Sequence, residues 1–377
     1  MNDKAKKALV IGGGPAGLEA AIKIGQAGYN VVLVEKEAVL GGTLRQLYSS
    51  FPRWENPEEL VDYKLQELEK LPSVKVMTET LVDSAQRKND MFLVNVKHSD
   101  GSTEKIEVDS VVLATGFELF DATLYGEYGY GTYPNVLTSL EFEEKLREWD
   151  SGEDNTEPPK TVAFFKCVGS RDPSKGYPYC SKICCMYTAK QAGLVKDFFP
   201  DAKCYVFYMD YRAAGREYEE FVRDVIENKH VRYVRGRPAK VIPENGRLLI
   251  RAEDTLMGIP IEVTADMIVL AAAIVPSKGT IKLAEIFGAN TDSYGFLQYD
   301  SKNPGKAGDK VFFAGACGFA VETLGAQYQG AAVAAEVIAL FNQENLEAVE
   351  TPEAQYQGAD AATEVNARFR QANVGGK

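Results

Sequence analysis

Four cysteines lie close together in the middle of this 377-residue chain, and their spacing is its strongest chemical signal. Cys167, Cys180, Cys184 and Cys185 follow the pattern C-x12-C-x3-C-C. Four thiolates suit an iron–sulfur cluster or a zinc ion, but structural zinc sites favour paired C-x-x-C segments, which this stretch lacks. Since consecutive helical residues point roughly 100° apart, Cys184 and Cys185 share one site only at a helix start. Buried, unligated cysteines are the other alternative.

The second chemical signal is a glycine-rich turn near the start of the chain. Gly12, Gly14 and Gly17 form a G-x-G-x-x-G pattern, and Glu35 ends the next apolar run. Such a turn lets a pyrophosphate approach the backbone at a helix N-terminus, and the acid can accept the ribose hydroxyls. In a strand–helix–strand setting the pattern predicts a dinucleotide site, with a purely structural glycine turn as the alternative.

The elements that must position these two groups are predicted to be two related α/β units. Residues 7–35 predict a β-α-β unit. A strand at 161–165, the cysteine loop, a helix to about residue 199 and a strand at 204–209 repeat that plan. The predicted organisation is a discontinuous first domain (1–155 and 282–341, its last helix at 323–341), a polar linker at 150–160, an inserted second domain (158–281) and a C-terminal tail (342–377).

Composition narrows the possible classes of function. Hydrophobic residues make up 45 % and charged residues 25 % of the chain, as in globular proteins. The net charge of −12 argues against nucleic acid and anionic lipid as partners. The apolar runs are too short to span a bilayer, and no leader sequence is recognisable. We therefore expect a cytoplasmic protein without membrane insertion, in which crowded cysteines indicate metal or redox chemistry rather than disulfides.

Several glycine-containing segments together resemble the thioredoxin-reductase-like flavoproteins, which have two dinucleotide-binding domains. They are Gly41-Gly42, Ala114-Thr115-Gly116 and the VFFAGAC segment at 311–317. The resemblance implies an α/β fold with the second domain inserted in the first, and FAD as the dinucleotide. That last segment usually carries Gly-Asp in this family, whereas Cys317 replaces the acid here. The FAD contacts expected from the resemblance are Gly12, Gly14, Pro15, Ala16, Gly17, Glu35, Lys36, Gly41, Gly42, Thr43, Val82, Ala114, Thr115, Gly116, Gly315, Ala316, Cys317 and Thr323.

The second unit departs from these flavoproteins at the position where they bind NAD(P)H. The segment KCVGSRDPSKGYPYCSKICC follows its first strand and contains no second G-x-G-x-x-G. The family's redox pair, C-x-x-C, is also absent. We therefore expect that NAD(P)H does not bind at the usual place.

A more specific resemblance is to the flavin-carrying A subunit of heterodisulfide reductases. It rests on CVGSRD…YCSKICCMYTAKQA, YGYGTYPNVLTSLEFE, DYRAAGREYEEF, VRYVRGRPAKV and FFAGACG. It implies non-covalent FAD and a [4Fe-4S] cluster on Cys167, Cys180, Cys184 and Cys185. It also implies a homodimer within a cytoplasmic electron-transfer complex, flanked by iron–sulfur and disulfide-handling subunits.

The departures from the methanogen-type protein refine this expectation. The methanogen form carries an N-terminal extension and ferredoxin-like inserts that are not recognisable here. The chain most resembles the short A subunit of the heterodisulfide-reductase-like complex of sulfur oxidisers, with the flavin subunit of the quinone-interacting membrane-bound oxidoreductase as a close second. Two other hypotheses remain: a stand-alone NAD(P)H-dependent flavin disulfide reductase, and a non-redox scaffold holding zinc.

We expect two further residues, Lys190 and Cys317, to lie near the flavin. Lys190 follows the cysteines early in their helix, and a lysine donor near flavin N5 would stabilise the reduced ring. A solvated helix lysine is its alternative. Cys317 is expected to pack as a small residue at the ribityl chain, with covalent flavin attachment as its alternative.

Overall fold

A computed structural model describes residues 6–154 and 156–349, and two large, mainly parallel sheets organise them. The strands are β1 (Lys7–Ile11), β2 (Asn30–Val34), β3 (Val74–Met77), β4 (Thr80–Lys88), β5 (Met91–His98), β6 (Thr103–Val108), β7 (Ser110–Leu113), β8 (Phe117–Leu119), β9 (Val136–Thr138), β10 (Thr161–Val168), β11 (Lys203–Tyr208), β12 (Arg232–Arg235), β13 (Lys240–Glu244), β14 (Arg247–Asp254), β15 (Ile259–Ala265), β16 (Met267–Ala272), β17 (Ile274–Pro276), β18 (Lys306–Gly308) and β19 (Val311–Phe313). The helices are α1 (Pro15–Gln26), α2 (Pro57–Glu69), α3 (Ser139–Ser151), α4 (Cys184–Phe198), α5 (Tyr218–Glu227), α6 (Lys278–Phe287) and α7 (Thr323–Val349).

The first sheet has the strand order β18-β19-β7-β1-β2-β3, and all its neighbours except β18 and β19 pair in parallel. Its central strands are continuous apolar runs because both faces are covered. Helices α1 and α7 pack together over one face. The antiparallel sheet β4-β5-β6 covers the other face.

The second sheet has the order β12-β11-β10-β16-β9 and repeats the same plan. Helices α3, α4 and α5 cover one face, and the antiparallel sheet β13-β14-β15 covers the other. The predicted strand–loop–helix–strand repeat is therefore present, with the cysteine loop between β10 and α4.

The second sheet also takes in residues that the sequence analysis placed in the first domain. Strand β9 pairs in parallel with β16, Ile268 lying opposite Val136, and α3 packs on the same sheet. Residues 150–160 therefore connect α3 to β10 within the second domain. The prediction that they link the two domains is wrong. The chain passes between the two sheets at β8 and β17, which pair antiparallel. A strand of only three residues has too little pattern to be recognised from sequence.

The last helix is longer than predicted. It continues past the predicted end at Phe341 to Val349. Its extension is anchored, because Tyr29 donates to the side chain of Asn342 at 2.5 Å and Lys310 pairs with Glu344 at 2.5 Å. The first part of the predicted tail is thus helical, and residues 350–377 lie outside the described residues. Across the described ranges, no helix combines the length and apolar character needed to cross a bilayer.

Candidate functional site

A cavity of about 1720 Å³ lies between the two sheets, larger than the roughly 300–1,000 Å³ of most small-molecule pockets. Most of the expected FAD contacts line it, although they come from distant parts of the chain. The expected residues in its wall are Gly12, Gly14, Pro15, Ala16, Glu35, Lys36, Gly42, Thr43, Val82, Ala114, Thr115, Gly116, Lys190, Gly315, Ala316 and Thr323. The cavity is therefore the candidate nucleotide site.

The glycine turn at this cavity has the shape that a bound pyrophosphate requires. Gly12 has φ +109°, and a Cβ built there would lie 2.3 Å from the carbonyl oxygen of Ala114. A Cβ at Gly17 would lie 1.8 Å from the carbonyl oxygen of Gly12, so helix and strand can approach only without one. A Cβ at Gly14 would meet nothing within 4 Å. Gly14 therefore leaves open space over the N-terminus of α1, where phosphate oxygens can approach backbone amides.

Glu35 is buried at the end of β2 and already holds the turn in place. Its carboxylate accepts hydrogen bonds from the backbone amides of Gly13, at 2.6 Å, and Glu37, at 2.9 Å. An ionised carboxylate has about four lone-pair sites, so both oxygens keep capacity for ribose hydroxyls. The site residues thus fit an FAD. Glu35 also fixes the conformation of the turn, in addition to its predicted contact with the ribose.

Three expected FAD contacts are absent from the residues that line the cavity. Gly17 serves the close packing described above, and Gly41 donates its backbone amide to the Gly13 carbonyl at 2.8 Å. Cys317 is fully buried in the core of the first domain, with its thiol donating to the carbonyls of Leu113 and Ala314. Burial raises the pKa of Cys317 to about 11. In this structure the Cys317 thiol therefore faces the core and not the cavity, and its expected contact with the ribityl chain stays a prediction.

Lys190 is a buried residue of the cavity wall and not a solvated helix lysine. Its Nζ donates to the carbonyl of Ser49, at 2.8 Å, and to Glu143 Oε1, at 2.6 Å. Glu143 also accepts from the Gln191 amide, at 2.5 Å, and from the backbone of Tyr48, at 2.9 Å. Burial lowers the pKa of Lys190, while the charge of Glu143 opposes that effect. The network joins both domains at the cavity, a contact that sequence reasoning missed because its members are far apart in the chain.

We expect the ion pair of Lys190 and Glu143 to make a large, coupled contribution to stability. Removing one partner with Lys190→Met or Glu143→Leu should lower the free energy of unfolding by roughly 3 kcal/mol or more, because a buried charge is left unpaired. The double variant should lose much less than the sum of the two. Urea unfolding measures all three. The exposed pair Arg251 and Glu262 is the matched control, with a coupling below about 1 kcal/mol; additive losses at Lys190 and Glu143 would contradict the expectation.

A segment of the first domain, residues 45–54, holds the second domain against the cavity. We call it the interdomain segment. Arg147 on α3 donates to two of its backbone carbonyls, at 2.6 and 2.8 Å. The rings of Phe51 and Trp54 contact Tyr218 and Phe221 on α5, with ring centroids 5.6 and 4.8 Å apart. Aromatic packing and hydrogen bonds therefore hold α3 and α5 of the second domain against the interdomain segment.

The cysteine group lies at the end of β10 and the start of α4. The pairing of β10 with β16 shifts register between Phe165 and Val168, and Cys167 has φ +61°. Bulges and left-handed non-glycine residues are uncommon and occur often at functional sites. The bulge directs Cys167 toward Cys184 and Cys185, which form the first residues of α4 and are buried.

Hydrogen bonding couples the three buried thiols. Bonding to Cys184 lowers the pKa of both Cys167 and Cys185, and it raises the pKa of Cys184 well above its usual value. The Lys166 side chain further lowers the pKa of Cys185. The three sulfurs are therefore not equivalent, since the pKa of Cys184 shifts in the opposite direction to those of its two neighbours.

Cys180 stands apart from the other three. It is half-buried in the loop before α4, and its sulfur accepts from the backbone amide of Lys182 at 3.4 Å. In the described part of the chain, no set of three or more His, Cys, Asp or Glu side chains has the arrangement of a metal site. The donor set nevertheless fits an iron–sulfur cluster in its chemistry, since thiols are the ligands of such clusters and three of the four are in contact at one helix start.

The cysteines occupy the place where a second dinucleotide would be bound. In the β10–α4–β11 unit, the turn before the helix is the cysteine loop, and the helix N-terminus carries no side-chain cap. Tyr187, one turn further on, lines the cavity and also packs against Cys184 and Cys185. One side chain thus separates the cysteine group from the candidate nucleotide site.

Comparison with known proteins places this geometry among flavin oxidoreductases. Residues 6–157 match the family of pyridine nucleotide-disulphide oxidoreductases. The thioredoxin reductase of T. acidophilum has the same fold, with a TM-score of 0.63 and 15 % identity over 89 % of this chain and 98 % of that one. The chain therefore has the thioredoxin-reductase-like fold with two dinucleotide-binding domains that its glycine segments predicted.

Two similar curated proteins share longer stretches of sequence. The chain is 32 % identical to the iron-sulfur A subunit of CoB–CoM heterodisulfide reductase from Methanocaldococcus jannaschii, over 78 % of this chain and 57 % of that protein. It is 30 % identical to an iron-sulfur A subunit of the same enzyme from Methanopyrus kandleri, over 88 % of this chain and 64 % of that protein. The chain thus spans about three fifths of the length of these relatives.

Proposed function

We propose that this chain is an electron-transfer subunit, because it is a flavin oxidoreductase whose residues 6–157 match the pyridine nucleotide-disulphide oxidoreductases and which is about 30 % identical to the A subunits of heterodisulfide reductases. It holds FAD in the cavity between the domains and a [4Fe-4S] cluster on Cys167, Cys180, Cys184 and Cys185. The observation that carries the proposal is the buried cysteine group beside the cavity, separated from it by the Tyr187 side chain.

When bound, FAD exchanges electrons in pairs and singly, and an iron–sulfur cluster exchanges them singly. This chain's residues supply the surroundings. Gly14 opens the backbone to the pyrophosphate, and Glu35 is available to the ribose. Lys190, held in the cavity wall by Glu143, would be available as a hydrogen-bond donor toward the reduced ring, and Tyr187 would keep water out of the space between the two sites.

The partners follow from the same proposal. A chain without a second nucleotide-binding turn needs another protein to deliver or remove electrons. We propose a homodimer of this chain in a cytoplasmic heterodisulfide-reductase-like complex, with iron–sulfur and disulfide-handling subunits beside it. The complex oxidises a sulfur compound, and that compound binds to the partner subunits.

Anaerobic purification followed by a visible spectrum and quantitation of iron, sulfide and flavin tests the proposal, before and after addition of NADH. We expect about four irons and one FAD per chain, and no bleaching of the flavin by NADH. Flavin without iron that NADH bleaches promptly would identify a stand-alone reductase instead. One zinc and no iron per chain would identify the scaffold.

A further inference from the structure

Lys166 is a buried cation without a carboxylate partner. It precedes Cys167 on β10 and is only 4 % exposed. Its Nζ donates to the backbone carbonyl of Asp210, at 3.4 Å, and lies 5.4 Å from the ring centroid of Tyr208. Among the described residues, no carboxylate oxygen lies within ion-pair distance of this Nζ. A buried ammonium group needs a counter-charge, and the sulfur of Cys185, to which the Lys166 side chain hydrogen-bonds, is placed to supply one.

Two arginines add positive charge near Lys166. Arg171 pairs with Asp210 at 2.8 Å, and Arg212 contacts the same carboxylate at 3.6 Å. The two arginines therefore share the carboxylate of Asp210, while Lys166 donates only to the backbone carbonyl of that residue, in a chain whose net charge is −12. All three lie beside the cysteines. The charges of Lys166 and Arg171 lower the pKa of Cys167. The Lys166 side chain and the backbone of Arg212 hydrogen-bond the sulfur of Cys185.

We propose that Lys166, supported by Arg171 and Arg212, is the counter-charge of an anionic iron–sulfur cluster at the cysteine site and sets its reduction potential. This inference rests on the proposed function. An oxidised [4Fe-4S] cluster with four thiolates carries about two negative charges, and its one-electron reduction adds a third. A nearby ammonium group that donates N–H to a cluster sulfur favours the reduced state, so it raises the potential.

The test compares Lys166→Met, which removes the charge, with Lys166→Arg, which keeps it. Lys310→Met is the matched control, because Lys310 is also buried but pairs with Asp90 and Glu344. Iron content and the cluster's midpoint potential, from a redox titration followed by electron paramagnetic resonance, are measured in each purified protein. In Lys166→Met we expect the ratio of reduced to oxidised cluster at a fixed potential to fall about tenfold, equivalent to about 59 mV. The other two variants should stay close to the wild type.

A second variant keeps the proposal testable if Lys166→Met does not fold. Arg212 is half-exposed, so Arg212→Gln should fold, and we expect a smaller shift in the same direction. An unchanged potential in Lys166→Met, or in Arg212→Gln if only that variant folds, would overturn the proposal. So would loss of iron from both Lys166 variants in a folded protein, because arginine keeps the charge. Absence of iron from the wild type would refute the proposed function instead.

Discussion

The Cys184→Ser variant is expected to lose most of its iron while it keeps its flavin. Cys184 is the central thiol of the group, since hydrogen bonds join it to both Cys167 and Cys185. A serine oxygen in its place is a poor ligand for iron in a cluster that depends on soft thiolates. We expect the iron content to fall from about four per chain to below about one. Iron, sulfide and flavin assays on anaerobically purified protein measure the change.

Cys204 offers the matched control for this variant. It is equally buried, but it lies on β11 in the core of the second domain, where burial raises the pKa of its thiol to about 12. Cys204→Ala should therefore keep both iron and flavin. Full iron content in Cys184→Ser would contradict the assignment of the cluster to this group, whereas equal loss in both variants would indicate a general effect on folding.

Substitutions in the glycine turn are expected to separate FAD binding from folding. Gly14 has φ −76°, which any residue can adopt, and a side chain there would enter open space. Gly14→Val should thus fold normally, yet block the approach of the pyrophosphate to the backbone. We expect a loss of FAD affinity of at least about a hundredfold, or roughly 2.8 kcal/mol. Calorimetric titration of the flavin-free protein with FAD measures it.

Alanine variants at Gly17 and Gly126 are the controls for Gly14→Val. Gly17→Ala places a methyl group against the carbonyl oxygen of Gly12, so it should lower the free energy of unfolding by about 2 kcal/mol or more. Gly126→Ala meets nothing within 4 Å and lies outside the cavity wall, so it should alter neither property. Unchanged FAD affinity in Gly14→Val would show that the cofactor approaches the chain elsewhere.

Local sequence determined the glycine turn at the cavity and the helix start that carries two of the cysteines. The glycine turn could be predicted because its constraints act between residues close in the chain or on adjacent strands, as at Gly12 and Gly17. The repeated β-α-β plan could be predicted because apolar runs follow from burial on both faces of a parallel sheet. The same holds for the group formed by Cys184 and Cys185, which depends on one helix start.

Only the tertiary structure decided the surroundings of these groups. Strand β9 joins the second sheet through a pairing with β16, more than a hundred residues away, and three residues carry too little pattern to indicate it. The pairing of Lys190 with Glu143 and the position of Lys166 beside Cys185 likewise depend on which side chains packing brings together. Cys317 faces the core and not the cavity for the same reason. Motifs act through local backbone geometry, whereas charge balance and side-chain direction depend on contacts between distant segments.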